Sequence, residues 1–331
     1  MSSERRCHAR PSLASFAALI AVSSSAGAGA AGPRGWPPDV ETIRYHCSSD
    51  DSAQPALFFA PDLPGPLPLL VALHTWSGDH LQTLQVPFAD WALERGWVFI
   101  APEFRGPNRR PEAAGSELVV QDILDAVAEA RRRAHVDPRR IYLIGLSGGG
   151  YTALLMAGRH HELWAGVSAW VPIADLRAWY RECRALGSDH ADDIVASCGG
   201  PPGASAAADR EYRLRSPLTW LDPGDDVPLD INAGIHDGHS PGGVPVSHAL
   251  RAFNAVAREP DRVSEDEIAH FVERRTVPSH LSRPLDDPDY GDRPPLFRRT
   301  SGSARVTLFD GGHEIVYEAG LRWLERQRKP E

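Results

Sequence analysis

Short apolar runs alternate with amphipathic, helix-length segments along most of the chain. The runs predict strands at 56–60, 67–74, 97–103, 140–146, 164–173, 229–235 and 305–309. The run LPLLVAL within 67–74 has little polar interruption, as a strand covered on both faces requires. Between the runs, apolar residues at helical spacing predict helices at 81–95, 116–134, 148–159, 246–258 and 314–328. The first should stop at Gly96, and the second should start on a capping Ser116 and end in an arginine-rich turn. Strands alternating with helices predict an α/β fold, a mostly parallel central sheet flanked by helices.

Two stretches break this rhythm, at about 175–228 and 262–303. Both are rich in Pro and charge and longer than ordinary connections. They are expected to be lid-like insertions over the carboxyl edge of the sheet, although the second could equally be surface decoration. The chain has 331 residues, 42% of them hydrophobic, enough for a substantial core and not a disordered composition. One large domain is expected over 42–331, after a Pro/Gly-rich linker at 32–41.

The first 31 residues change the cellular picture. Arg5, Arg6 and Arg10 precede the apolar LASFAALIAV and then a small-residue run, as in a secretory signal peptide. The apolar part is too short to cross a bilayer, so a secreted or periplasmic protein with no membrane partner is expected. Removing that segment takes away three arginines and one glutamate, moving the net charge from −9 to −11. Such a charge disfavours nucleic acid as a partner. In an oxidising compartment, Cys183 and Cys198, flanking a polar loop, are expected to form a local disulfide, leaving Cys47 as a buried small hydrophobe.

The chemistry-bearing signal is Gly145-Leu146-Ser147-Gly148-Gly149, a G-x-S-x-G sequence lying where an apolar strand turns abruptly into a helix. Such a turn is tight and strained. It lifts the serine hydroxyl to the sheet edge and aims the next amide, that of Gly148, at a developing oxyanion. A serine hydroxyl needs a base. His313 follows the last predicted strand on a Gly-Gly loop, where a base is expected. The orienting acid should fall between them. Asp237 ends the strand in LDINAGIHD, and Asp175, one strand earlier, is its rival. The second oxyanion donor should come from the loop after 67–74, with the amide of Trp76 preferred and Thr75 next. The segment GIHDGH at 234–239 invites a zinc reading, but its spacing sits in a tight turn and no H-E-x-x-H helix accompanies it. No metal and no cofactor are expected. His236 or His239 should instead pack near Asp237 or line a cleft.

With LHxxxG after a strand, GLSGGG, HDGH and GGHE in that order, the chain resembles the α/β-hydrolase superfamily. Within it, the sequence is similar to prolyl-oligopeptidase-type hydrolase domains and their secreted esterase relatives, and PEFRGPN is similar to an arginine-glycine loop those domains carry. The resemblance implies the α/β-hydrolase fold with Ser147 as nucleophile, Asp237 as acid, His313 as base, and the amides of Trp76 and Gly148 as oxyanion donors. Only about ten residues separate the expected mature start from the expected domain at 42–331, so no amino-terminal β-propeller is expected to filter peptides. That departure, with tryptophans at 76, 170, 179 and 220 as possible stacking surfaces, favours a carboxylic ester hydrolase acting on a small-molecule or polysaccharide ester, such as an acetyl or feruloyl ester. The alternative is a serine peptidase acting on short peptides. A binding module that merely kept the fold is a third reading, which an intact Ser, His and Asp in order opposes.

Overall fold

The run LPLLVAL forms a strand over Leu67–Leu73, and its side chains feed two separate cores. Leu69, Val71 and Leu73 enter one, while Leu70 and Ala72 enter the other. Alternation is thus present in space but invisible in sequence, because both faces are covered by helices. The protein is described here from a computed structural model covering residues 32–330. The expected signal at 1–31, Cys7 included, lies outside those residues.

Along the chain the strands are β1 (Glu41–His46), β2 (Ala53–Phe59), β3 (Leu67–Leu73), β4 (Val98–Pro102), β5 (Val136–Leu146), β6 (Gly166–Trp170), β7 (Leu229–Gly234), β8 (Pro295–Ser301) and β9 (Ala304–Phe309). They form one sheet in the order β1-β2-β4-β3-β5-β6-β7-β9-β8. From β4 to β9 all neighbours are parallel, and antiparallel pairs occur only towards the two edges. The mostly parallel α/β sheet expected from the sequence is what the chain forms. The strands β1 and β8 were not expected, and both are edge strands.

The helices are α1 (Val86–Arg95), α2 (Glu117–Arg133), α3 (Gly148–Arg159), α4 (Leu176–Leu186), α5 (His190–Cys198), α6 (Ala206–Leu214), α7 (Val246–Val256), α8 (Glu265–Arg274) and α9 (Tyr317–Glu325). Helix α1 ends on Gly96 in the left-handed conformation, and the Ser116 hydroxyl caps α2 by accepting from the Val119 amide. Helix α1 begins later than expected, with a proline in its first turn. The residues before it are used elsewhere, as described below. No described helix is long and apolar enough to cross a membrane.

The first irregular stretch is a cap of three helices, α4 to α6, whose inner faces make a third apolar cluster around Trp76, Tyr151, Trp179 and Tyr212. The expected Cys183–Cys198 disulfide is absent. Both cysteines are free and buried in this cluster, and burial pushes each thiol up to about 12. They serve as small apolar side chains on two different helices, not as a staple. Cys47 is likewise free and buried, as expected. The second stretch does not simply overlie the carboxyl edge: it supplies α8 and then β8, which extends the sheet.

Candidate active site

Parallel pairing brings the carboxyl ends of several strands to one rim. In register, Leu73 lies beside Gly145, Leu146 beside Trp170, Trp170 beside Asn232 and Gly234 beside Phe309. The segments that leave these ends carry Trp76, Ser147, Asp237 and His313, so residues far apart in sequence meet at one edge. Ser147 stands at the break between β5 and α3 with φ 58° and ψ −116°, a conformation costly for a residue with a Cβ. Its amide donates to the Trp170 carbonyl at 2.8 Å, which helps to hold that turn.

The Ser147 hydroxyl lies 2.8 Å from His313 Nε2, and His313 Nδ1 lies 2.7 Å from Asp237 Oδ2. Asp237 is buried, and its other oxygen accepts from the amides of Gly238 at 2.6 Å and Val244 at 3.0 Å. Both carboxylate oxygens are therefore fixed, and the imidazole they orient is fixed with them. The loops bearing acid and imidazole are also joined by backbone: the Ile235 amide donates to Phe309 and the His236 amide to Gly311. Gly234 is needed at this crossing, since a Cβ there would meet the Gly312 carbonyl oxygen at 2.2 Å.

Opposite the hydroxyl, Gly148 opens α3, where the helix dipole adds partial positive charge. A Cβ on Gly148 would lie 2.3 Å from the Trp76 amide nitrogen, so the two amides are close neighbours. Among the described residues neither amide donates to a protein acceptor. The Thr75 amide, the other candidate, is already taken by Gln82 Oε1 at 3.0 Å. The Thr75–Trp76 peptide is held from its carbonyl side. His74, fully buried and stacked on Phe104 at 3.9 Å, places Nδ1 2.8 Å from the Thr75 oxygen. In a planar trans peptide, holding that oxygen turns the Trp76 N–H the opposite way. The Trp76 carbonyl in turn accepts from Asn108, through its amide at 2.8 Å and Nδ2 at 3.3 Å.

The same loop is anchored by Glu103, whose Oε2 accepts from the His80 amide at 2.9 Å and lies 2.5 Å from His80 Nδ1. Burial acts to raise the Glu103 pKa, but the contacts from His80 outweigh it and hold the carboxyl below its ordinary value. Asp79, His80 and Glu103 also form a group with ligand atoms within 4.8 Å of one another. In this structure they act as a clamp on the loop.

The remaining candidates take other roles. Asp175 caps α4 by accepting from the amides of Arg177 and Ala178, at 2.8 and 3.2 Å, and is not the partner of His313. In the 234–239 segment, Asp237 is engaged by His313, and the exposed His236 lies 3.2 Å from Asp310. The arginine of PEFRGPN, Arg105, is buried in ion pairs with Asp122 and Asp50 at 2.7 and 2.8 Å. Of the tryptophans offered as stacking surfaces, three are interior and Trp220 is half-buried. Trp76, Trp170 and Trp179 are buried, with indole N–H groups donating to Asp193, Ser168 and the Gly243 carbonyl. Trp220 donates to the Leu214 carbonyl and lies under Arg159. His74, Glu103 and Asn108 lie within the LHxxxG and PEFRGPN segments, but their roles, and any part for Gln82, were not legible, because each acts through a contact that only the fold creates.

The model of the prolyl oligopeptidase family matches residues 88–259. The rat acylamino-acid-releasing enzyme is 24% identical over 240 residues, which cover 67% of this chain and 31% of that enzyme. The uncharacterized protein YfhR of Escherichia coli K12 is 23% identical over 234 residues, 70% of this chain and 72% of its own. Among solved structures, a putative dipeptidyl aminopeptidase IV from Bacteroides ovatus superposes with a TM-score of 0.56 at 15% identity, over 87% of this chain and 36% of that one. A puromycin-hydrolyzing peptidase of Mycobacterium tuberculosis gives 0.55 at 18% identity, over 87% and 38%. The chain thus spans about a third of the length of the rat enzyme and of these two peptidases. At these identities the structural matches show a common fold.

Proposed function

Because the chain belongs to the prolyl oligopeptidase family of serine hydrolases, we propose that it cleaves short peptides and related small amides by acyl transfer through Ser147. The observation that carries this reading is the unbroken run of contacts from Asp237 through His313 to the Ser147 hydroxyl. Ser147 Oγ attacks the carbonyl carbon as its proton passes to His313 Nε2, and Asp237 stabilises the resulting imidazolium. The oxyanion rests on the amides of Trp76 and Gly148. His313 then protonates the leaving amine, and water repeats the sequence to release the acid.

The sequence placed esters ahead of peptides, partly on four tryptophans, of which Trp76, Trp170 and Trp179 prove to be buried. The rat relative is named as releasing acylated amino acids and the Mycobacterium tuberculosis neighbour as a puromycin-hydrolyzing peptidase, which moves amides to first place. Export to the cell exterior or periplasm remains our reading of the amino-terminal pattern of arginines, apolar run and small residues.

The test compares p-nitrophenyl acetate with a prolyl-peptide amide. A higher kcat/KM on the amide is expected, and efficient turnover of the ester alone would restore the ester reading. Ser147→Ala should abolish labelling by a fluorophosphonate probe and lower kcat by roughly 10⁴-fold or more. Unchanged turnover in that variant would remove the serine mechanism.

A further inference from the structure

Trp76 belongs to two parts of the molecule at once. Its amide lies beside that of Gly148, next to the serine, while its buried indole sits in the apolar cluster of the cap. Helix α5 of the cap holds that indole. The indole N–H donates to Asp193 Oδ2 at 3.2 Å, and the ring meets Trp179 of α4 edge-on at 4.8 Å. His190, one turn before Asp193, has its ring 6.2 Å from that of Trp76 and its Nδ1 3.4 Å from the same Asp193 oxygen. Ser197, one turn after Asp193, donates its hydroxyl to the Asn108 carbonyl at 3.3 Å, and Asn108 in turn donates to the Trp76 carbonyl. Positions 190, 193 and 197 are three and four apart and so share one face of α5. That face reaches Trp76 twice, directly at the indole and through Asn108 at the carbonyl.

We propose that Asp193 and Ser197 are positioning residues for the oxyanion site. Helix α5 fixes the indole and the carbonyl of Trp76, and thereby the direction of its amide, so that the cap completes the catalytic centre. The inference rests on the reading of Trp76 as an oxyanion donor. Such a donor stabilises developing charge only if it is aimed before the reaction begins. Around Trp76, the preceding peptide is set by His74, the carbonyl by Asn108 and the indole by Asp193. The amide hydrogen is the group left without a protein acceptor among the described residues. Without the Asp193 carboxylate, the indole has no acceptor and can turn within the cluster, carrying the amide off its aim. A misplacement of about 1 Å in a catalytic group lowers rate by up to roughly 10²-fold. The loss belongs to the transition state, where the charge has formed, so it falls on kcat and spares KM.

The experiment measures kcat and KM on the prolyl-peptide amide and on p-nitrophenyl acetate, because both reactions pass through the same oxyanion. Fluorophosphonate labelling of Ser147 is scored on each preparation. A peptidyl trifluoromethyl ketone, to whose carbonyl carbon the Ser147 oxygen adds to leave a tetrahedral oxyanion, is titrated by its competition with the probe. Asp193→Ala is expected to lower kcat by about 10- to 100-fold, to leave KM within about twofold, and to weaken the ketone by the same factor as kcat. Asp193→Asn keeps an acceptor for the indole and should stay within about threefold of wild type. Trp76→Phe removes the donor and should match Asp193→Ala, and the double variant should be no worse than either, as two ends of one contact require. Ser197→Ala should lower kcat by about three- to tenfold, which keeps the proposal testable if Asp193→Ala does not fold. Asp192→Ala removes the same charge from an exposed neighbouring position and should behave as wild type. Wild-type kcat and ketone affinity in Asp193→Ala, an equal loss in Asp192→Ala, or additive losses in the double variant would overturn the positioning role and leave the hydrolase reading standing. A wild-type protein that does not label would overturn both.

Discussion

A methyl group at position 148 would have to sit 2.3 Å from the amide nitrogen of Trp76. Gly148→Ala should therefore push apart the two amides proposed to hold the oxyanion, with kcat falling by roughly 10²- to 10³-fold and KM changing much less. Steady-state kinetics on one small amide would check this. Asp237→Asn tests the other side of the serine. It keeps the size of the side chain but loses the acceptor facing His313 Nδ1, so kcat should drop by roughly 10⁴-fold while the thermal midpoint moves little. At this scale the sequence was most legible where glycines flank a lone reactive residue, at Ser147 and His313, since a tight turn leaves few residue types possible. Asp237 and Asp175 fitted chain order equally well, and only the hydrogen bonds separated them. The partners of His74 and Gln82 were illegible: a histidine or glutamine near a strand end has no local mark of what it will touch.

Asp175 is where element and site come apart. Because it caps α4 instead of orienting the imidazole, Asp175→Ala should cost about 0.5–2 kcal/mol of stability, with a loss in kcat far smaller than that of Asp237→Asn. Chemical denaturation paired with kinetics separates the two effects, and a 10⁴-fold loss in Asp175→Ala would reverse the assignment. The same element explains why the cap was read as irregular. Helices α4 to α6 are short and interrupted by Gly187, Gly199 and Gly203 in left-handed conformations, so no window holds helical periodicity for long. Their apolar positions make sense only against Trp76 and Tyr151 beneath them. Edge strands β1 and β8 were missed for a related reason. Exposed positions interrupt their apolar residues, and β8 carries two arginines, whereas β3 and β4 are continuous apolar runs.

At the scale of the whole molecule, the three cysteines of the described residues are free, so stability should not respond to reductant. The thermal midpoint is expected to be the same with and without dithiothreitol, and a clear fall on reduction would indicate a disulfide after all. Acid should act through the clamp on the oxyanion loop. Glu103 has its pKa held below the ordinary 4.5, so it contributes stability above that value and loses it as pH falls through the lowered one. The melting temperatures of wild type and Glu103→Gln should accordingly differ near neutrality and converge below about pH 4.5. A last consequence lies in the order of the strands, with β9 slotted between β7 and β8 although it comes last in the chain. A polypeptide still leaving the ribosome already holds its serine and its carboxylate, yet without the imidazole beyond β9 it is harmless to the proteins around it. Its reactivity switches on only when that strand and the loop beyond it have been made and the strand has found its place.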